Sequence, residues 1–125
     1  MTTTDSRRAA SPAPEVALIV GGGPGISASC ARLFAQSGLS VAMAARRPDK
    51  PVLQALAQSH GVRTYGCDAA DAASVAALFD QVTRELGAPR LVVHNIDGRV
   101  PGIFRKGITE ADPAFALDTL RNAAF

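Results

Sequence analysis

The run Val16-Ala17-Leu18-Ile19-Val20-Gly21-Gly22-Gly23-Pro24-Gly25-Ile26-Ser27 constrains this chain more than any other segment. A short apolar stretch without polar alternation reads as a strand buried on both faces of a parallel sheet. It breaks into a glycine cluster, and an alanine-rich helical pattern begins at once. A strand that turns sharply into a helix leaves the first helical N–H groups without intrahelical partners, beside the positive end of the helix dipole. Glycines let the main chain come close to a bound group. The segment therefore predicts a pyrophosphate cradle and, through it, a nucleotide cofactor.

The rest of the chain alternates in the same way. A strand is expected at about 16–20. A helix follows from about Gly25 to Ser37, with Ile26, Cys30, Leu33 and Phe34 on one face and Gly38 after its end. A second strand covers about 40–45 and leads into the turn Arg46-Arg47-Pro48-Asp49. Pro48 or Pro51 can start the next helix, which carries Val52, Leu53 and Leu56 and ends before Gly61. A short strand at about 62–66 precedes a helix capped by Asp71. There Val75, Leu78, Phe79, Val82 and Leu86 recur at helical spacing until Gly87 and Pro89. The fourth strand is Leu91-Val92-Val93-His94-Asn95, followed by a loop with Gly98, Pro101, Gly102 and Gly107. Thr109 with Asp112 reads as a capping box opening a last helix to Phe125.

Four strands alternating with helices predict right-handed βαβ units. The fold class is α/β: a Rossmann-like, doubly wound parallel sheet of order 3-2-1-4. The winding reverses between strands one and four, and a ligand crevice opens there at the strands' C-terminal ends. Residues 15–125 make one such domain, and residues 1–14, rich in Thr, Ser, Ala and Pro, read as a flexible tail. The tail holds Arg7 and Arg8 but no apolar core of a secretory signal. A net charge of +2 with scattered arginines gives no footprint for nucleic acid. No apolar run approaches a membrane span. Cys30 and Cys67 lack CxxC spacing and read as small packed residues in a reducing compartment, which places the protein in the cytoplasm. No metal ligands are assigned.

The spacing Gly21-x-x-x-Gly25-x-Ser27 resembles the TGxxxGxG turn of the short-chain dehydrogenase/reductase family. The resemblance covers about 16–125. It implies that Gly21 makes the tight exit from the strand. Gly25 brings the backbone to the phosphates, and main-chain amides across Gly21–Ile26, Gly23 among them, hold the diphosphate. Ser27 stands where the family has a third glycine for close helix–strand packing. Cys67-Asp68 looks like the family's aspartate that contacts adenine, although a short Asp turn reads equally well. Asn95, in His94-Asn95-Ile96-Asp97, matches the second asparagine of the family's NNAG segment, which stabilises the sheet and lines the cofactor. His94 reads as a partly buried strand residue.

The end of strand two is where a nucleotide enzyme reads the adenosine ribose. An acid there favours NAD. This chain has Ala45 followed by Arg46 and Arg47, and two guanidiniums suit a 2′-phosphate. NADP is the expected cofactor, with NAD second. A solvated arginine pair is the plainer alternative.

The sequence also departs from the family. Ile96 replaces an alanine and adds bulk facing the cofactor. Asp97 replaces a glycine and brings negative charge toward the nicotinamide end or the phosphates. The family asparagine in the helix after strand four falls near Leu120 or Asn122. The family's chemistry uses a serine, a tyrosine and a lysine four residues after the tyrosine. Tyr65 is the one tyrosine here, in strand three, with Ala69 at the lysine position. Lys50 and Lys106 have no tyrosine at the required spacing. On the resemblance the catalytic trio would lie beyond Phe125, the chain being about half a typical member, and no catalytic residue is assigned.

The leading expectation is the cofactor-binding half of an NADP-dependent oxidoreductase acting on carbonyls or alcohols, without redox turnover by this chain alone. A non-catalytic partner subunit is the second expectation. A flavin or nucleotide sensor on the same fold is the third. Strand four is expected to present an unpaired apolar edge, so that the chain forms a homo-oligomer, pairs with another chain, or is poorly soluble.

Overall fold

The computed structural model describes residues 13–97, 107 and 109–124. Most of the proposed N-terminal tail, and Gly98, Pro101, Gly102, Lys106 and Phe125, lie outside the described residues.

The chain runs β1 (Val16–Val20), α1 (Ile26–Gln36), β2 (Ser40–Ala45), α2 (Pro51–His60), β3 (Arg63–Gly66), α3 (Ala72–Glu85), β4 (Pro89–His94) and α4 (Pro113–Ala124). The strands form a four-stranded parallel sheet of order β3-β2-β1-β4. β1 lies at the centre and every one of its residues is buried. Strand pleating sorts its side chains between two layers. Val16, Leu18 and Val20 join Ala42, Ala44, Tyr65, Leu78 and Val82 under α3. Ile19 joins Ala28, Ala31, Val41, Met43, Leu53 and Leu56 under α1 and α2. An unbroken apolar run in β1 is what a strand covered on both faces requires.

The turns follow local chemistry. Asp71 caps α3, its carboxylate accepting the Ala73 N–H at 3.1 Å. Pro51 stands in the first turn of α2, and Gly61, at φ 69°, ends that helix in the left-handed conformation.

Three expectations need correction. The face of α1 that carries Ile26 and Leu33 is not its buried face. Ile26 is 68% and Leu33 59% exposed, whereas Ser27, Ala28 and Ala31 are buried. Close approach of α1 to the sheet admits only small side chains, so the bulky ones turn outward; Cys30 and Phe34 pack partly against the layer below. The second correction concerns β4, which begins at Pro89 rather than Leu91. Its register against β1 shifts between Val16 and Ala17, pairing Val16 with Pro89 and Ala17 with Leu91. Proline is tolerated as a strand's first residue. Arg90, the extra residue, sends its guanidinium to Glu15 at 3.4 Å. Lastly, Asp112 is itself the cap of α4, accepting the Ala114 N–H at 2.8 Å. Pro113 fits the first helical position, so the helix begins one residue after Asp112 rather than after Thr109. The preceding turn closes on the Gly107 carbonyl, which accepts the Glu110 and Ala111 N–H groups at 2.9 and 3.0 Å.

Among the described residues no helix is long and apolar enough to cross a membrane.

Candidate cofactor site

The C-terminal ends of all four strands open into one crevice of about 1030 Å³. Its floor is the β1–α1 turn, at the point where the sheet's winding reverses. Gly21 leaves β1 at φ 106°, and a Cβ there would run into the Asn95 carbonyl, so this position accepts only glycine. The N–H groups of Gly21 and Gly22 both donate to the Ala44 carbonyl, at 2.9 and 3.0 Å, which ties the turn to the end of β2. The Asn95 N–H donates to the Val20 carbonyl at 2.9 Å and ties it to the end of β4.

Ser27 locks this arrangement. It is 1% exposed, its hydroxyl donates to the Gly21 carbonyl at 2.7 Å, and it accepts from the Asn95 side-chain amide at 3.0 Å. The three residues form a hydrogen-bonded chain across the base of the crevice. Sequence reasoning took Ser27 only as a small residue in a glycine position.

Beyond Gly22 the turn is bare. A Cβ at Gly23 or Gly25 would meet nothing within 4 Å. No side chain caps α1, and no acidic residue stands in its first turn. The helix's leading N–H groups therefore face the crevice, beside a main chain that a flat or anionic group can approach closely. These features fit the diphosphate of a dinucleotide.

Of the sequence-predicted residues, Gly21, Gly23, Gly25, Ile26, Arg46, Asp68 and Asn95 all line the crevice. Arg47 is exposed and does not line it; its carbonyl accepts the Lys50 N–H at 3.2 Å. Asp68 serves its own turn, its carboxylate accepting the Ala70 N–H at 3.0 Å while its N–H donates to the Ser74 hydroxyl at 2.9 Å. It lies in the wall as well, so the turn role and a ligand role are compatible. Ala45, at the end of β2, is buried at 6% exposure and offers no carboxylate to a ribose.

One lining residue escaped the sequence reading, and a second settles a choice it left open. Lys50 reaches back to donate from Nζ to the Gly22 carbonyl at 3.2 Å. Its signal was its place in the turn that also carries Arg46 and Arg47. Asn122, in α4, lines the crevice where the sequence left a choice between it and Leu120; Leu120 is exposed. Ile96 both lines the crevice and packs partly against the layer under α3, so the core takes up part of its bulk. Asp97 is exposed in the same wall.

Two other residues depart from expectation or stand apart. His94 is exposed rather than partly buried, and its Nε2 donates to the Ala123 carbonyl at 2.6 Å. Tyr65 is buried in the layer under α3 and is no part of the crevice. Its hydroxyl donates to the Glu85 carboxylate at 2.9 Å, and Arg63 holds the same oxygen at 2.8 Å. Burial, then the Glu85 carboxylate, pushes the phenol above its ordinary pKa of 10.0. Hydrogen bonds from Tyr65 and Gln81, with the Arg63 charge, hold Glu85 below the usual carboxylate value.

Residues 21–120 match the family model described as enoyl-(acyl carrier protein) reductase. An uncharacterized oxidoreductase of Caenorhabditis elegans is 39% identical over 89 residues, a match covering 67% of this chain and 28% of the relative. An uncharacterized oxidoreductase of Mycobacterium tuberculosis is 34% identical over 109 residues, covering 83% of this chain and 41% of the relative. The match thus spans less than half the length of each of these relatives. Among solved structures, 3-oxoacyl-[acyl-carrier protein] reductase from Brucella melitensis, in complex with NAD, superposes with a TM-score of 0.73 at 24% identity. That match covers 90% of this chain and 44% of the other. A metagenomic short-chain oxidoreductase in complex with NADP superposes with a TM-score of 0.68 at 24% identity, covering 87% of this chain and 49% of the other. At this identity the likeness is one of fold.

Proposed function

The chain belongs to the short-chain dehydrogenase/reductase family, and on that premise we propose that it is the cofactor-binding part of an NADP(H)-dependent oxidoreductase acting on a carbonyl or an alcohol. The observation that carries this reading is the bare β1–α1 turn at the crevice floor, where Gly23 and Gly25 leave open space and α1 has no cap of its own. In this reading the amides of Gly23, Gly25 and Ile26 hold the diphosphate, those of Gly21 and Gly22 being bonded to the Ala44 carbonyl. Ser27 and Asn95 keep that turn in place through their bonds to one another and to Gly21. Arg46 in the crevice wall supplies positive charge to a 2′-phosphate, whereas Arg47 stands exposed outside the lining, and Asp68 faces the adenine. The absence of an acid at Ala45 supports NADP over NAD. The nicotinamide, when bound, supplies or accepts the hydride; the residues here bind and orient it.

The two cysteines are free thiols, which suits the cytoplasm. We further propose that copies associate along β4. Leu91 and Val92 of that strand are 39% and 45% exposed, and among the described residues β1 is the one strand that pairs with β4.

A second reading, a chain that binds nucleotide without turning it over, has one observation in its favour: Tyr65 is buried against Glu85 with its proton held tightly, away from the crevice. Thermal denaturation with NADPH, NADH and FMN tests the proposal. A ligand at about 100 times its Kd adds about 2.7 kcal/mol to stability, a rise of several degrees in Tm. NADPH is expected to give the largest rise. No rise with either nicotinamide coenzyme, or a rise with FMN alone, contradicts it.

A further inference from the structure

We propose that Lys50 is a specificity-determining cation of the 2′-phosphate pocket and contributes more to discrimination between NADPH and NADH than Arg47 does. This rests on the NADP reading above. A dinucleotide with its diphosphate at the start of α1 and its adenosine ribose at the end of β2 must place that ribose between the β1–α1 and β2–α2 turns. Lys50 spans this gap. Its main chain belongs to the β2–α2 turn, where its N–H donates to the Arg47 carbonyl at 3.2 Å. Its Nζ lies 3.2 Å from the carbonyl of Gly22, in the β1–α1 turn.

The anchor is firm. A Cβ on Gly22 would lie 2.9 Å from Leu53 Cδ1 and 3.1 Å from Met43 Cγ, so this part of the main chain is seated directly on the core. An ammonium carries three donors, and the Gly22 carbonyl occupies one. Among the described residues no carboxylate pairs with Lys50. Its charge stands half-buried in the crevice wall, and among the described residues its side chain has the neutral Gly22 carbonyl as its one hydrogen-bond partner. A lysine already held in place loses less side-chain freedom on meeting a phosphate than one free in solvent. Arg47, exposed and outside the lining, has no such placement.

The test is titration calorimetry of the full chain and its variants with NADPH and with NADH, with Tm measured without ligand as the control for folding. Lys50→Met is expected to weaken NADPH by about tenfold to a hundredfold, the range of a lost charge-assisted hydrogen bond, and NADH by less than about threefold. Lys50→Gln, which keeps an N–H donor on a side chain one bond shorter but carries no charge, is expected to lose the same preference. Lys50→Arg is expected to keep it, and Arg47→Ala to change either coenzyme by less than about threefold. If the wild type prefers NADPH but Lys50→Met and Lys50→Gln weaken both coenzymes equally, or Arg47→Ala costs more than either, the role of Lys50 is overturned and the NADP reading stands. If the wild type binds NADH as tightly as NADPH, the 2′-phosphate reading itself falls, and this inference with it.

Discussion

Two side chains, those of Ser27 and Asn95, and one glycine, Gly21, decide the geometry of the crevice floor. Ser27 is the less replaceable of the two side chains, because its hydroxyl both gives to Gly21 and takes from Asn95. Ser27→Ala removes both bonds in a buried place, and we expect a loss of about 1–3 kcal/mol in urea denaturation, together with weaker NADPH binding. An unchanged midpoint would show that the bonds are idle. Gly21→Ala combines a positive φ with a collision against the Asn95 carbonyl. It is expected to cost at least about 2 kcal/mol or to prevent folding, which far-UV circular dichroism and the same denaturation curve will report. The glycines were legible in the sequence because their spacing is local. The serine's bonds were not, because Asn95 lies 68 residues further along the chain and only strand order brings it back. Lys50 escaped for a related reason: its partner, Gly22, is 28 residues away and is a carbonyl that no sequence pattern marks.

Among the elements, helix caps and strand interiors were the readable parts. The bounds of β1 and β2 and the Asp71 cap agree with the sequence, since apolar runs and capping chemistry act within a few residues. Asp71→Ala is expected to destabilise by about 1 kcal/mol, measured by the shift in urea midpoint. The face of α1 was misread because periodicity marks apolar residues, whereas here the space between helix and sheet is set by small ones. The start of α4 was misread because Pro113 overrode a capping-box pattern. The bonds from β3 to α3 through Tyr65, Arg63 and Glu85 give the sheet a pH dependence. The raised Tyr65 pKa stabilises the fold fully below the phenol's ordinary value of 10.0, and this stability is lost as pH rises through the raised value. The lowered Glu85 pKa acts in the opposite sense: its contribution is present above the ordinary 4.5 and is lost as pH falls through the depressed value. As pH rises above the phenol's ordinary 10.0, the urea midpoint of the wild type is expected to fall more steeply than that of Tyr65→Phe. Parallel curves would contradict the buried, hydrogen-bonded phenol.

At the scale of the whole molecule, the order β3-β2-β1-β4 follows from alternating elements and the handedness of their crossovers, and it was legible throughout. The same order leaves β3 and β4 at the sheet's two margins among the described residues. Leu91 and Val92 on β4, with Phe115, Leu117 and Leu120 on α4, are exposed apolar groups. Light scattering after size-exclusion chromatography is expected to give a mass of at least twice the 12.9 kDa of the chain. A stable monomer at high concentration would remove the proposed association along β4. The crevice itself is the product of the whole sheet, since all four strand ends contribute to it. Its role is tested most directly by following the backbone amides of the ¹⁵N-labelled chain by NMR during titration with NADPH. The amides of Gly23, Gly25, Ile26 and Ser27 are expected to shift together and saturate at one affinity, with Arg46 and Lys50 moving only weakly when NADH replaces NADPH. Saturable shifts confined to another surface, or none in the β1–α1 turn at millimolar coenzyme, would contradict the assignment of that turn as the diphosphate site.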